Sequence, residues 1–216
     1  SEMCIRDSFV PGLTRGRDIT IRHLLSHTSG YQDYYPLDYV APYMRVPVSM
    51  SGITDRWAKK ALDFEPGSQW QYSNTNFIIA AAIIEKASGQ SLMTFLRQRI
   101  FQPLGMQSPI DVDHEPWPDS EPTGYGRFAL GPLRPATLEG AGWSYGAGEL
   151  AMTAHDLALW NLSLMKGTIL KPASLAALTT EVKLNDGKGT GYGLGIGVSL
   201  QGGKRKWSHT GGMAGF

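Results

Sequence analysis

Apolar residues recur at helical spacing in several stretches of the 216-residue chain, and polar capping residues mark where those stretches begin. The strongest pattern predicts a helix from Thr75 to Ala87, with Gly89 as its stop. The expected buried stripe of this helix consists of Phe77, Ile78, Ala81, Ile84 and Ala87. A second capping residue, Thr153, predicts a helix that ends at Gly167. Its apolar stripe consists of Leu157, Trp160 and Leu164.

Shorter patterns predict further helices and, near the end of the chain, two strands. The helices are expected over residues 21–26, 55–62, 92–100 and 173–180. Thr20 and Ser91 would cap two of them, and Gly30 would supply the left-handed residue that closes the first. Segments 32–51 and 107–145 are expected to be long loops, the latter because of its many prolines. The strands are predicted over 192–200 and 204–210, joined by a hairpin turn.

This order of elements predicts an α+β fold. A mostly helical region with long loops would cover residues 9–185, and two strands of an antiparallel sheet would follow within residues 186–216. Residues 1–8 show no hydrophobic periodicity, and the back-translation of residues 2–8 is similar to a transposon end used in preparing sequencing libraries. They are therefore expected to be an adapter-derived scar outside the folded region.

Composition excludes some classes of partner. Twenty basic and nineteen acidic side chains give a net charge of +1, so there is no electrostatic reason to expect nucleic acid or an acidic membrane. No apolar run reaches membrane-spanning length. Cys4 is the only cysteine, which excludes a disulfide framework. His23 and His27 are spaced like zinc ligands, but Leu24 replaces the expected glutamate, so helix capping is predicted instead of a metal site.

Three polar motifs follow one another along the chain. The first is Arg-His-Leu-Leu-Ser-His-Thr-Ser-Gly at 22–30, and the second places Tyr72-Ser73-Asn74 between Pro66-Gly67 and an apolar helix. The third is His209-Thr210-Gly211-Gly212. In this order they resemble the boxes of the serine beta-lactamase and penicillin-binding-protein-like superfamily of hydrolases, particularly its class C-like members.

The resemblance implies an acyl-serine intermediate on a small ester, amide, beta-lactam or peptidoglycan-like peptide, without a metal or cofactor. Tyr72 would be the general base, and Asn74 would orient the catalytic lysine and the substrate carbonyl. The remaining site residues would lie on the edge strand beside the nucleophile, where they would face the acyl group and hold the oxyanion. They are His209, Thr210, Gly211 and Gly212.

Two chemical features refine this expectation. A tyrosine has a pKa near 10, so acting as a base near pH 7 requires about 4 kcal/mol of preferential phenolate stabilisation, which adjacent cations can supply. His209 replaces the lysine of the Lys-Thr-Gly form, and histidine is a weaker, pH-dependent cation. This favours an esterase or D-amino-acid peptidase over a dedicated beta-lactamase. The resemblance also implies a periplasmic or secreted parent protein.

No Ser-x-x-Lys motif precedes Tyr72. The nucleophile and its lysine are therefore expected to lie outside this chain, together with the first strands and the nucleophile helix. The chain is accordingly expected to be truncated at both ends and inactive alone. A different class of function, a non-catalytic binding protein that retains the penicillin-binding fold, stays open.

Two other serines match catalytic strings. Ser144 lies in Gly-x-Ser-x-Gly and would use His209 with either Asp156 or Asp186, as in an α/β-hydrolase. The preceding residues are rich in helix and strand breakers, and no helix is expected before Ala154, which argues against a nucleophile elbow. Ser163 and Lys166 form Ser-x-x-Lys, but at a solvated helix end after the tyrosine box.

Overall fold

The computed structural model describes residues 9–36, 39–116, 122–127 and 129–216, so the expected scar at 1–8 lies outside the described residues. The α-helices are α1 (Ile21–Leu25), α2 (Met50–Ile53), α3 (Asn74–Ser88), α4 (Leu92–Leu96), α5 (Gln102–Leu104), α6 (Ala154–Lys166) and α7 (Pro172–Thr179). Wider π-helical turns at Thr54–Ala58 and Arg97–Phe101 continue α2 and α4, and a 3₁₀ turn covers Pro42–Arg45.

The strands form three antiparallel pairs in the described part of the chain. They are β1 (Ile110–Asp111) with β4 (Leu150–Ala151), β2 (Tyr125–Gly126) with β3 (Arg134–Pro135), and β5 (Gly197–Gln201) with β6 (Lys204–Ser208). Gly202 and Gly203 join β5 to β6 with φ angles of 57° and 76°. Two positive φ angles are typical of the tight turn that matches strand twist. The predicted hairpin and the α+β class are confirmed.

Local capping signals placed several helix ends correctly. The Thr20 side chain accepts the His23 N–H, and His23 Nδ1 accepts the Thr20 N–H, which makes a reciprocal cap at the start of α1. The end of α1 differs from the prediction. His27, with φ of 59°, is the left-handed residue, and the Thr28 N–H returns to the His23 carbonyl. Gly30 lies farther along, where a Cβ would stand 2.3 Å from the Phe64 carbonyl oxygen.

The predicted boundaries of one helix and one strand were wrong, and the structure shows the reason for each. The helix predicted over 55–62 begins at Met50, because the Ser49 side chain accepts the Gly52 N–H, and its π-turn ends at Ala58. The strand predicted over 192–200 begins only at Gly197. Gly193 packs so closely on α7 that a Cβ there would lie 2.1 Å from the Leu178 carbonyl oxygen. This contact replaces strand pairing with a bend.

Helix α3 occupies the centre of the fold. Ile79, Ala82 and Ile83 pack with α1 in one hydrophobic cluster, while Ile78 packs with Trp143 in another. Ile78 and Ala81 are buried as predicted, but Ala87 is exposed and Phe77 and Ile84 are only partly buried. The buried face is wider than the predicted stripe because neighbours cover α3 on more than one side.

Helix α6 has the predicted bounds but a different inner face. Leu157 is exposed, whereas Asp156 and Ser163 are buried beside Leu164. The Asp156 carboxylate accepts the N–H groups of Gln107 and Ser108 at 2.8 and 2.7 Å, which draws this polar position inward. Within the described residues, every helix is too short or too polar to cross a bilayer.

Candidate active site

Residues 27–30, which follow the C-cap Ser26 of α1, hold the segment that leads to the tyrosine box. The Gln71 N–H donates to the His27 carbonyl at 3.0 Å, and the Gly67 N–H donates to the Thr28 carbonyl at 2.8 Å. The Asp63 N–H donates to the Gly30 carbonyl at 2.9 Å. These bonds fix the approach to α3 and therefore the position of residues 72–74.

His27 adds a side-chain bond to the same segment. Its Nδ1 accepts the Ser73 backbone N–H at 3.1 Å, so the neutral ring carries its proton on Nε2. The ring is fully buried, 4.2 Å from the ring of Tyr72 and 5.1 Å from that of Tyr192. Burial, followed by the electrostatic effect of nearby His209, lowers the pKa of His27 to about 4. His27 is therefore a neutral structural group at pH 7, and its ring holds the Ser73 N–H, whereas the histidine that caps α1 is His23.

Asn74, the first residue of α3, is held by Asp33 from the loop after α1. Asp33 Oδ1 accepts the Asn74 backbone N–H at 3.0 Å, and both carboxylate oxygens accept from Asn74 Nδ2 at 3.3 and 3.2 Å. The Ser73 side chain makes no capping bond, so Asp33 caps α3 from a distant segment. A carboxylate at this end also complements the helix dipole.

The Tyr72 hydroxyl lies beside Asn74, with 3.5 Å between the hydroxyl oxygen and Asn74 Oδ1. Burial and the negative charge of Asp33 raise the pKa of Tyr72. This is opposite to the depression that a tyrosine base requires. The described surroundings of Tyr72 therefore do not supply the cationic stabilisation expected from the sequence.

The strand predicted over 204–210 ends at Ser208, so residues 209–212 follow β6 in this chain. The motif nevertheless faces the tyrosine box, since the rings of His209 and Tyr72 lie 6.0 Å apart. A Cβ added at Gly211 or Gly212 would meet nothing within 4 Å. The segment therefore leaves open space beside its backbone, as close approach by a ligand requires.

One cavity of about 840 Å³ brings together all the predicted site residues. Aromatic side chains form much of its remaining wall. The predicted residues along it are Tyr72, Asn74, His209, Thr210, Gly211 and Gly212. The aromatic residues are Tyr34, Tyr35, Trp70, Trp143 and Tyr192.

Ser144 also lines this cavity, but its local structure is a series of turns. Among the described residues around it, no strand leads directly into Ser144 and the next helix begins at Ala154. Neither of the two candidate aspartates lines the cavity. Asp156 accepts a hydrogen bond from Ser108, and Asp186 pairs with Lys188 at 2.7 Å.

Ser163 and Lys166, which form the Ser-x-x-Lys string on α6, were both expected to be solvated, and this is correct for one of them. Lys166 is exposed as predicted. Ser163 is buried, and its hydroxyl donates to the Trp160 carbonyl at 2.7 Å within the same helix.

The sequence did not reveal that Asp33 binds Asn74 or that the His27 ring accepts the Ser73 N–H. Asp33 sits in an irregular tyrosine-rich stretch and binds a residue 41 positions away, so no local pattern marks it. The only available signal for His27 was its place in the 22–30 motif.

The tyrosine box lies at the start of a buried helix and faces the His-Thr-Gly-Gly segment across one cavity. This arrangement and the fold are those of the beta-lactamase and transpeptidase-like class of proteins. The chain belongs to the Beta-lactamase family, whose model matches residues 10–216. The family expectation from the sequence is thereby confirmed.

Known relatives and a solved structure agree with this placement. The chain is 31% identical to Penicillin-binding protein 4* of Bacillus subtilis over 230 residues, covering 97% of this chain and 49% of the relative. It is 29% identical to a D-aminopeptidase of Brucella anthropi, covering 91% of this chain and 38% of the relative. A D-stereospecific amidohydrolase from Streptomyces sp. superposes with a TM-score of 0.83 at 28% identity, covering 97% of this chain and 67% of that one. The chain thus spans about half or less of the curated relatives' length.

Proposed function

We propose that this chain supplies the general base, the orienting amide and the oxyanion side of an acyl-transfer site in a serine hydrolase that cleaves amides or short peptides of D-amino acids. The observation that carries the proposal is the single cavity shared by Tyr72, Asn74 and residues 209–212. The nucleophilic serine and its lysine would come from residues outside this chain. Alone, the chain would be inactive.

The raised pKa of Tyr72 makes the external lysine essential to the proposal. An ammonium close to the Tyr72 oxygen would oppose the effect of Asp33 and favour the phenolate. The phenolate could then accept the serine proton as the hydroxyl attacks the substrate carbonyl. A backbone N–H within 209–212 would stabilise the resulting oxyanion.

The geometry of Asn74 sharpens its role. Its Nδ2 is bound to Asp33, and its Oδ1 faces the Tyr72 hydroxyl. The amide group that faces Tyr72 is therefore an acceptor, which suits a lysine ammonium better than a substrate carbonyl. We assign Asn74 to orienting the lysine, with Asp33 as the residue that positions Asn74.

The substrate class follows from two features together. Relatives include a D-aminopeptidase and a D-stereospecific amidohydrolase. In this chain, aromatic walls such as Trp70 and Tyr192 suit an apolar side chain, and His209 replaces a permanent cation by a weaker one. These features favour a small amide without an obligatory carboxylate over a beta-lactam.

The test compares this chain with a longer protein that includes the upstream Ser-x-x-Lys. The longer protein should hydrolyse D-phenylalanine amide faster than the L-enantiomer or nitrocefin. Tyr72→Phe should lower its kcat by about 10²- to 10⁴-fold with little change in KM. Ser144→Ala in the same protein should leave turnover unchanged. A stoichiometric acyl adduct on this chain alone, detected by intact mass, would overturn the proposal.

A non-catalytic binding protein is the second candidate, and the raised pKa of Tyr72 favours it. This candidate predicts that the longer protein binds D-phenylalanine amide calorimetrically but shows no turnover. It also predicts that Tyr72→Phe leaves that affinity unchanged. Turnover that depends on Tyr72 would exclude it.

A further inference from the structure

A second polar cluster lies away from the tyrosine box, where β1 pairs with β4. In this ladder Asp111 stands opposite Leu150, and the Val112 N–H donates to the Glu149 carbonyl at 2.9 Å. One carboxylate oxygen from each of Asp111, Asp113 and Glu149 lies within 4.8 Å of the other two. Backbone pairing therefore brings together three acids from two distant parts of the chain.

Glu149 is the unusual member of this cluster. The residue is only 4% exposed, and its Oε2 is buried without a hydrogen-bond partner. In the described part of the chain, no other carboxylate oxygen is buried without a hydrogen-bond partner. A buried carboxylate beside two others is costly unless a positive charge compensates it.

The two nearby cationic side chains, Arg97 and His114, do not bond to Glu149. Arg97 Nη2 binds both oxygens of Glu115 at 2.6 and 2.5 Å. The His114 Nδ1–H donates to Asp111 Oδ2 at 2.9 Å, and the His114 side chain is 65% exposed. Neither provides a bond to Glu149 Oε2.

We propose that Asp111, Asp113 and Glu149 bind a calcium ion. Calcium takes oxygen ligands at about 2.3–2.6 Å, so ligand atoms on opposite sides of the ion are about 5 Å apart, which fits the spacing of the three carboxylates. The adjoining cavity of about 540 Å³ is lined by Asp111 and Glu149 and has room for water ligands. The Gly142 N–H fixes Asp113 Oδ2 at 2.8 Å, so this ligand is already oriented.

The ion would act on the wall of the candidate active site. Glu149 directly follows Gly148, and Gly148 lines the cavity that contains Tyr72. Gly142, at the other end of the wall segment 142–149, is bound to Asp113. A calcium ion would therefore tie both ends of this segment to β1 and its following turn. This role is structural and does not depend on catalysis.

The test uses the chain after chelator treatment, with CaCl₂ as the probe. Calorimetry should show one binding event, and calcium at about 100 times its Kd should raise Tm by about 5 °C or more. Glu149→Gln should weaken binding at least tenfold and remove the Tm shift. Asp113→Asn should weaken it similarly, which keeps the test informative if the first variant does not fold. Asp186→Asn, an exposed acid outside the cluster, should behave as the parent.

Several results would overturn the proposal. One is the absence of both a binding heat and a Tm shift with calcium. Another is equal calcium affinity in the parent and in Glu149→Gln. A third is tighter binding of MgCl₂ than of CaCl₂, since magnesium demands shorter, near-octahedral coordination. A proton is the competing occupant, and it predicts that Glu149→Gln stabilises the chain with no calcium dependence. None of these measurements relies on hydrolase activity, so they are independent of the proposed reaction.

Discussion

Asp33 binds Asn74 through both the backbone N–H and the side-chain amide, although the two residues are 41 positions apart. The same contact caps α3 and turns the Asn74 oxygen towards Tyr72. It also places a negative charge near the Tyr72 hydroxyl, which adds to the larger effect of burial in raising the pKa of Tyr72. One carboxylate thus couples the stability of the central helix to the electrostatics of the candidate site.

Replacing Asp33 tests this coupling. Asp33→Ala should lower the free energy of unfolding by about 1–2 kcal/mol, because it removes the cap and leaves polar groups of Asn74 unpaired. The measurement is urea denaturation followed by circular dichroism. Asp63→Ala is the matched control, since this carboxylate is exposed and accepts from the Gln71 side chain within the described residues. Its effect should stay below about 0.5 kcal/mol. Equal losses in the two variants would contradict the assigned role.

The burial of His27 predicts an acid-sensitive stability. Its pKa is about 4 in the folded protein, against about 6.5 when unfolded, so the unfolded chain binds more protons between these values. The contribution of neutral, buried His27 to the free energy of unfolding is complete above pH 6.5 and is lost as the pH falls towards 4. Between pH 7 and pH 5, His27 should account for about 2 kcal/mol of lost unfolding free energy.

The matched variant is His27→Asn, because asparagine tolerates the left-handed backbone and keeps an acceptor for Ser73. Its loss of stability between pH 7 and pH 5 should be smaller than that of the parent by about 2 kcal/mol. Replacing the exposed His155 by asparagine should leave the loss unchanged. An identical pH dependence in the parent and His27→Asn would refute the assignment.

Two glycines of segment 142–149, Gly146 and Gly148, give a steric test. Gly146 has φ of 65°, and a Cβ there would lie 2.5 Å from the Ala81 Cβ on α3. Gly146→Ala should therefore cost about 2–4 kcal/mol from backbone strain and overpacking. A Cβ at Gly148 would meet nothing within 4 Å, so Gly148→Ala should change stability by less than about 1 kcal/mol. Chemical denaturation of both variants decides the point.

Gly212 tests whether the space beside residues 209–212 receives a ligand. Its Cβ would meet no atom of the protein, so Gly212→Ala should leave the unfolding midpoint nearly unchanged. If a substrate lies against this backbone, the variant should weaken the calorimetric affinity for D-phenylalanine amide at least tenfold, or about 1.4 kcal/mol. Gly187→Asn, an exposed positive-φ position outside the cavity, serves as the control and should bind normally. Unchanged affinity in Gly212→Ala would place the ligand elsewhere.

Elements that depend on nearby residues were predictable. Helix α6 runs from Ala154 to Lys166 and α3 ends before Gly89, as expected, because caps and left-handed stops act within one helical turn. The start of β5 was not predictable, because the close contact between Gly193 and Leu178 arises only when α7 packs beside it. The buried faces of α3 and α6 were also misjudged, since distant neighbours decide which side of a helix is covered.

The family and the residue types of the candidate site were readable from the chain, since the motifs around Tyr72 and His209 carry those residue types in order. Their meeting in one cavity, the capping of Asn74 by Asp33 and the raised pKa of Tyr72 were settled by tertiary structure. So was the convergence of Asp111, Asp113 and Glu149. The physical reason is range: propensity and capping act over a few residues, whereas burial and charge depend on whichever groups the fold brings within a few ångströms.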